Sequence, residues 1–260
     1  MNLGKCKLCL RENQELQAGH LIPAAMYERV FESGAKNPNP VILTRKHAVQ
    51  SSRQMTTYLL CRECEQLFSK NGEEWMTGQV FDGEKAFPLL DRLKVAAPFR
   101  ATAAYEAYSG TAVGIDTEKL AYFGLSVLWR ASVAKWWISS TETTTIDLGE
   151  HQEPLRRFLL EETGFPHDVL VCAIVCTDFD SQGCFYPPCA VPQNPFRAYS
   201  LLTLGVSFRF FLGTNVPPEF RTFCCVHSSE KRITIANCKE SSHHSFGHLF
   251  ATAKPSQGLR

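Results

Sequence analysis

Cys6-Lys-Leu-Cys9 and Cys61-Arg-Glu-Cys64 are the two stretches on which the fold turns. Two residues between the cysteines of each pair let both thiolates reach one ion, and four thiolates satisfy the tetrahedral preference of zinc with no position open to water. The spacing therefore predicts a closed structural Zn2+ site with Cys6, Cys9, Cys61 and Cys64 as ligands. Fifty-one residues separate Cys9 from Cys61, longer than in a simple zinc ribbon, so the interval must itself carry structure. The competing reading is four scattered core cysteines.

Inside that interval lies Gln17-Ala-Gly-His20-Leu-Ile-Pro23. Pro23 sits where a helix can start, and Ala24 to Phe31 has Met26, Val30 and Phe31 near helical spacing. Tyr58-Leu59-Leu60 reads as a short strand entering Cys61, followed by a helix over 63–70 that Asn71-Gly72 is expected to interrupt. A CxxC pair, a His about a dozen residues on with an apolar-apolar-Pro run, and a strand leading into a second CxxC together resemble the His-Asn-His (HNH, His-Me finger) nuclease family.

The resemblance spans roughly residues 1–80 and implies an N-terminal, ββα-like treble-clef zinc module that cuts DNA. His20 would be the general base, a role that suits a group titrating near operating pH. A single Mg2+ or Mn2+ would stabilise charge on the phosphate, with Glu65, directly after the second CxxC, as an oxygen ligand. Two positions depart from the family pattern: Gly19 stands where many members carry an acidic ligand, and Thr56 stands near the place of the middle Asn. The alternative for His20 is a strand histidine bonded to backbone, and for Glu65 a carboxylate complementing a helix dipole.

Residues 33–54 read as a polar inserted loop. Its Arg45-Lys46-His47 run and Arg53 suit phosphate contacts that are blind to sequence, with His47 a second metal ligand or phosphate donor; a merely solvated loop is the other reading.

The whole chain of 260 residues has 27 Lys+Arg against 26 Asp+Glu, so any nucleic-acid binding must come from a local patch rather than a molecular field. At 44% hydrophobic and 20% charged residues, disordered, collagenous and coiled-coil classes are excluded. Ser126, Arg130, Ser132 and Lys135 interrupt the longest apolar run, Leu120 to Trp137, so no membrane span and no membrane partner is expected. The opening residues do not predict a secretory leader, and eleven cysteines then point to a reduced, cytoplasmic setting. Phosphate-loop, serine-elbow, zincin and dinucleotide fingerprints are absent, which removes ATPase, serine hydrolase, zinc protease and oxidoreductase readings.

Residues 81–260 are expected to form a second part, giving an α+β chain overall. A helix at about 116–137, capped by Asp116 or Thr117, should bury Leu120, Phe123, Val127, Trp129, Trp136 and Trp137. A shorter helix is expected over 153–162. An antiparallel sheet should follow residue 165, with strands over 169–176, 199–211, 222–226 and 232–236. Cys172, Cys176, Cys184, Cys189, Cys224, Cys225 and Cys238 read as core thiols. Arg130, alone on an apolar helix, implies a buried ion pair or a cleft. If the nuclease chemistry fails, the same residues describe a non-catalytic zinc module binding nucleic acid or protein, or a zinc staple for a chain whose activity lies elsewhere.

Overall fold

A computed structural model describes residues 2–30, 39–43, 47–82, 86–139, 142–237 and 254–255. Strand β1 (Leu3–Gly4) leads into the first cysteine pair, where Leu10 N–H donates to Cys6 O and Leu10 takes a left-handed φ of 62°. The chain returns along β2 (Gln14–His20), and Pro23 opens α1 (Ala24–Val30), as its sequence predicts. Part of the supposed polar loop is instead a ladder, with β3 (Val41–Leu43) antiparallel to β4 (His47–Gln50). Strand β5 (Thr56–Cys61) then pairs with β2, setting Gly19 against Thr57 and His20 against Thr56.

Helix α2 (Arg62–Phe68) starts at Cys61, but Asn71-Gly72 does not end it. The chain widens through a π-helical turn, Ser69–Glu73, and continues as α3 (Glu74–Val80). Glycine is needed there for approach rather than termination: a Cβ on Gly72 would lie 2.9 Å from Phe123 N and 3.0 Å from Phe123 Cα.

Next come α4 (Pro88–Lys94), β6 (Arg100–Ala101), β7 (Tyr105–Ser109) and α5 (Thr117–Val133), whose cap is Asp116 accepting from Lys119 N–H at 3.0 Å. Helix α5 stops four residues before the expected end, and Trp136–Trp137 form β8, paired with β9 (Thr143–Thr144). Trp129 and Trp136 are buried as expected, while Trp137 is 46% exposed. Helix α6 (Gln152–Leu159) occupies most of the second predicted helix.

The remaining strands are β10 (Val169–Cys176), β11 (Phe185–Val191), β12 (Arg197–Thr203), β13 (Val206–Leu212), β14 (Arg232–Ala236) and β15 (Lys254–Pro255), the last added to β4. The main sheet runs β11-β12-β13-β10-β14-β7-β6. It is mixed rather than wholly antiparallel, because β10 and β14 pair in parallel. The expected 199–211 strand is two strands folded at Leu204-Gly205. The expected 222–226 strand is absent, since Pro217-Pro218 open a 3-10 turn over Pro218–Phe223 and Cys225 N–H reaches Val171 O singly. Strand β11 holds Pro187-Pro188, which the sheet tolerates because β11 is its edge and its register breaks between Tyr186 and Cys189.

One apolar core runs from Cys6 and Leu21 through Phe68 and the α5 side chains to Phe208 and Ile235. The result is an α+β arrangement of helices with antiparallel and mixed sheets. No helix among the described residues is long and apolar enough to cross a membrane.

Candidate metal centre and adjoining cleft

Cys6 and Cys9 are held by the first turn, Cys61 by the end of β5 and Cys64 by the first turn of α2, so register between β2 and β5 brings the pairs together. Their four sulfurs all lie within 4.8 Å of one another. Cys9 Sγ and Cys61 Sγ are 3.9 Å apart, against about 3.8 Å for ligands of a tetrahedral zinc with bonds of about 2.3 Å. Cys6, Cys61 and Cys64 are buried, and a soft, four-sulfur, water-excluding donor set fits Zn2+.

Supporting donors surround the sulfurs. Lys7 N–H reaches Leu59 O at 3.1 Å, and Cys61 N–H points at Cys6 Sγ at 3.4 Å. Arg11 Nε donates to Cys9 Sγ at 3.3 Å while its Nη2 reaches Glu63 Oε2 at 2.6 Å. A hydrogen bond from Cys64, joined by backbone N–H groups, draws the Cys6 thiol down to about 4, and that same contact pushes Cys64 upward. Crowded sulfurs that stabilise one thiolate at the expense of another are groups that a cation relieves together.

Beside this centre opens a cleft of about 400 Å³ lined by Gly19, His20, Glu65, Glu73 and Arg130, with Gln17, Arg62 and Gln66 among its other walls. His20 is the last residue of β2 and is half-buried, its ring centre 6.3 Å from that of Tyr27. Burial lowers its pKa; a hydrogen bond with Gln54 opposes this, and the Arg130 charge reinforces it. Glu65 points from the first turn of α2 into the space beside Gly19, where a Cβ would stand 2.2 Å from Glu65 Oε1. The missing side chain at position 19 is thus replaced in space by a carboxylate from the facing helix. Burial pushes the Glu65 carboxyl up to about 7, the charge of Arg130 opposing the rise.

One residue of this cleft, Glu73, was not assigned a role by the sequence. Glu73 comes from the π-helical turn, a kind of irregularity frequent at functional sites. It pairs with Arg130, for which the sequence implies a buried ion pair or a cleft; the buried guanidinium has the ion pair and also lines the cleft. Among the described residues, the four cysteines are the sole group of three or more potential ligands drawn together; His20, Glu65 and Glu73 line the cleft without forming such a group.

The other candidates are not among the residues that line the cleft in the described part of the chain. Arg53 is exposed, His47 begins β4, and Arg45 and Lys46 lie outside the described residues, as does the chain from 238 to 253 with its histidines. Of the late cysteines, Cys172 and Cys224 are buried with sulfurs 3.8 Å apart, and Cys225 is buried as a core thiol should be. Cys176 departs from that expectation by being disulfide-bonded. No family model, curated protein or solved structure matches the chain.

Proposed function

We propose that the chain is an HNH-like endonuclease, with a treble-clef zinc module that hydrolyses DNA phosphodiesters at the His20 cleft. The observation that carries this reading is the meeting of His20 and Glu65 on one open cleft against the four-thiolate centre. Cys6, Cys9, Cys61 and Cys64 would hold a zinc at the junction of the first turn, β5 and α2, and so keep both side chains in place. Neutral at pH 7 because of its burial, the His20 imidazole accepts a proton from the attacking water. Glu65, free of any ion pair among the described residues, would supply the hard oxygen that Mg2+ or Mn2+ prefers. That ion, when bound, stabilises negative charge gathering on the phosphate and leaving oxygen. Arg62, exposed at the wall of the cleft, and Arg53 with the Arg45-Lys46-His47 run supply phosphate contacts.

A second reading, a non-catalytic zinc module that binds nucleic acid or protein, draws support from Glu73. Its pairing with Arg130 takes one of the cleft's two glutamates away from metal binding. Supercoiled plasmid and single-stranded DNA, incubated with purified protein and Mg2+ or Mn2+, separate the two readings. Nicking that disappears in His20→Ala at equal zinc content establishes the nuclease; DNA retarded but uncut by both proteins establishes the binding module.

A further inference from the structure

We propose that Arg130, contributed by α5 from outside the zinc module, is a positioning residue for His20: its guanidinium clamps the end of β2 to the π-helical turn and thereby sets the imidazole in the cleft. This inference rests on the reading of His20 as the base.

The clamp is explicit in the hydrogen bonds. Nη1 donates to His20 O at 2.6 Å, Nη2 to the Glu73 carboxylate and to Ser126 Oγ at 3.4 Å, and Nε to Ser126 O at 3.4 Å. The guanidinium carbon lies 5.2 Å from the centre of the Phe68 ring, on the helix that carries Glu65. Arg130 is 2% exposed, so the group is desolvated and its orientation is fixed by these partners. A planar, forked cation meets two acceptors on different elements at once, which a lysine ammonium does not reproduce. The gripped atom is the carbonyl of His20 itself, the last residue of β2 paired with β5, at the point where the chain leaves the strand toward Pro23. The same peptide is held on its other side by Leu21 N–H donating to Met55 O at 2.9 Å, so Arg130 supplies the tie that joins this strand end to α5 and the π-helical turn.

The charge has a second effect on the same residue. His20 is faced by Arg130 from α5, Glu73 from the π-helical turn, Glu65 and Arg62 from α2, the Tyr27 phenol from α1 and the neutral Gln54 before β5. Of the charged groups acting on its titration, Arg130 favours the neutral ring and Glu73 the protonated one. Arg130 therefore places the imidazole and helps keep it able to accept a proton.

Removing Arg130 alone leaves Glu73 as an unpaired, largely buried carboxylate, so the test uses paired variants. Wild type, Arg130→Gln, Arg130→Lys and Arg130→Gln/Glu73→Gln are compared at equal zinc content, reading the His20 ring signals by NMR across pH and plasmid cleavage with Mn2+. In Arg130→Gln the His20 midpoint moves up, because the cation is gone while Glu73 and Glu65 stay; in Arg130→Lys it remains near wild type. In the doubly neutral protein and in Arg130→Lys, kcat falls about tenfold or more with KM within about twofold, and the ring signals shift. A zinc-loaded, cooperatively melting double variant with wild-type kcat and unshifted His20 signals overturns the proposal. If wild type cuts no DNA, the nuclease reading alone is lost, and the His20 ring signals decide the positioning role by themselves.

Discussion

Gly19→Ala is a small change with a calculable reach. The added Cβ stands 2.2 Å from Glu65 Oε1 and 3.2 Å from Glu65 Cδ, whereas ordinary contact needs about 3.5 Å. The carboxylate must therefore retreat by about 1 Å. Because the obstructing atom is the far end of a flexible side chain, the retreat is cheap, and stability should fall by less than about 1 kcal/mol. Catalysis feels the same displacement differently: a ligand moved by about 1 Å costs on the order of tenfold to a hundredfold in kcat. The measurements are thermal melts at fixed zinc content and Mn2+-dependent plasmid nicking for Gly19→Ala, Glu65→Ala and the double variant. Since the first substitution acts through Glu65, the double variant should nick no more slowly than Glu65→Ala, a non-additive cycle. Nicking by Gly19→Ala at the wild-type rate, with Glu65→Ala inactive, would refute the argument that position 19 and Glu65 share one space.

Gly72→Ala gives the opposite balance, because its Cβ meets the backbone of Phe123 rather than a movable side chain; a loss of about 1–3 kcal/mol is expected in urea unfolding, with zinc content unchanged. Metal analysis should find one Zn2+ per chain; Cys64→Ser or a strong chelator should release it and expose the other cysteines of the centre to thiol reagents, and a native protein free of both zinc and iron would remove the centre altogether. For His20, whose folded pKa lies below the ordinary 6.5, the stabilisation from a neutral buried ring is complete above about 6.5 and drains away as pH falls through the folded value. Unfolding free energies at pH 7.5 and 5.5 should thus differ more in wild type than in His20→Gln, a comparison that cancels acid release of zinc, and equal differences would contradict the burial of the ring.

What the sequence reveals and conceals follows the range of the interaction. The paired cysteines, the Asp116 cap and the Val169–Cys176 strand are set by neighbours within a few residues, and each is legible from spacing or periodicity alone. Gly72 looked like a helix breaker because its reason for being glycine is the approach of Phe123, fifty-one positions away. Strand β11 was hidden by Pro187-Pro188, which exclude a central strand but not an edge one, and edge position is a property of the assembled sheet. The cleft follows the same rule. His20 and Glu65 announce themselves through their place beside the cysteine pairs and Arg130 as a lone charge on an apolar helix, whereas Glu73 lies in a π-helical turn and meets its cation fifty-seven positions away.

The approach of α2 and α3 to α5 also limits how this protein can be divided. Phe68 meets the rings of Tyr122 and Trp129 edge-on at 6.1 and 6.2 Å, and Met76 and Val80 are buried in the same core. A fragment ending near residue 80 would keep all four clustered cysteines yet carry those side chains into water, and would leave Glu73 facing an absent cation. The centre and its cleft are accordingly not a portable cassette: transplanting them onto another scaffold requires bringing the long helix as well.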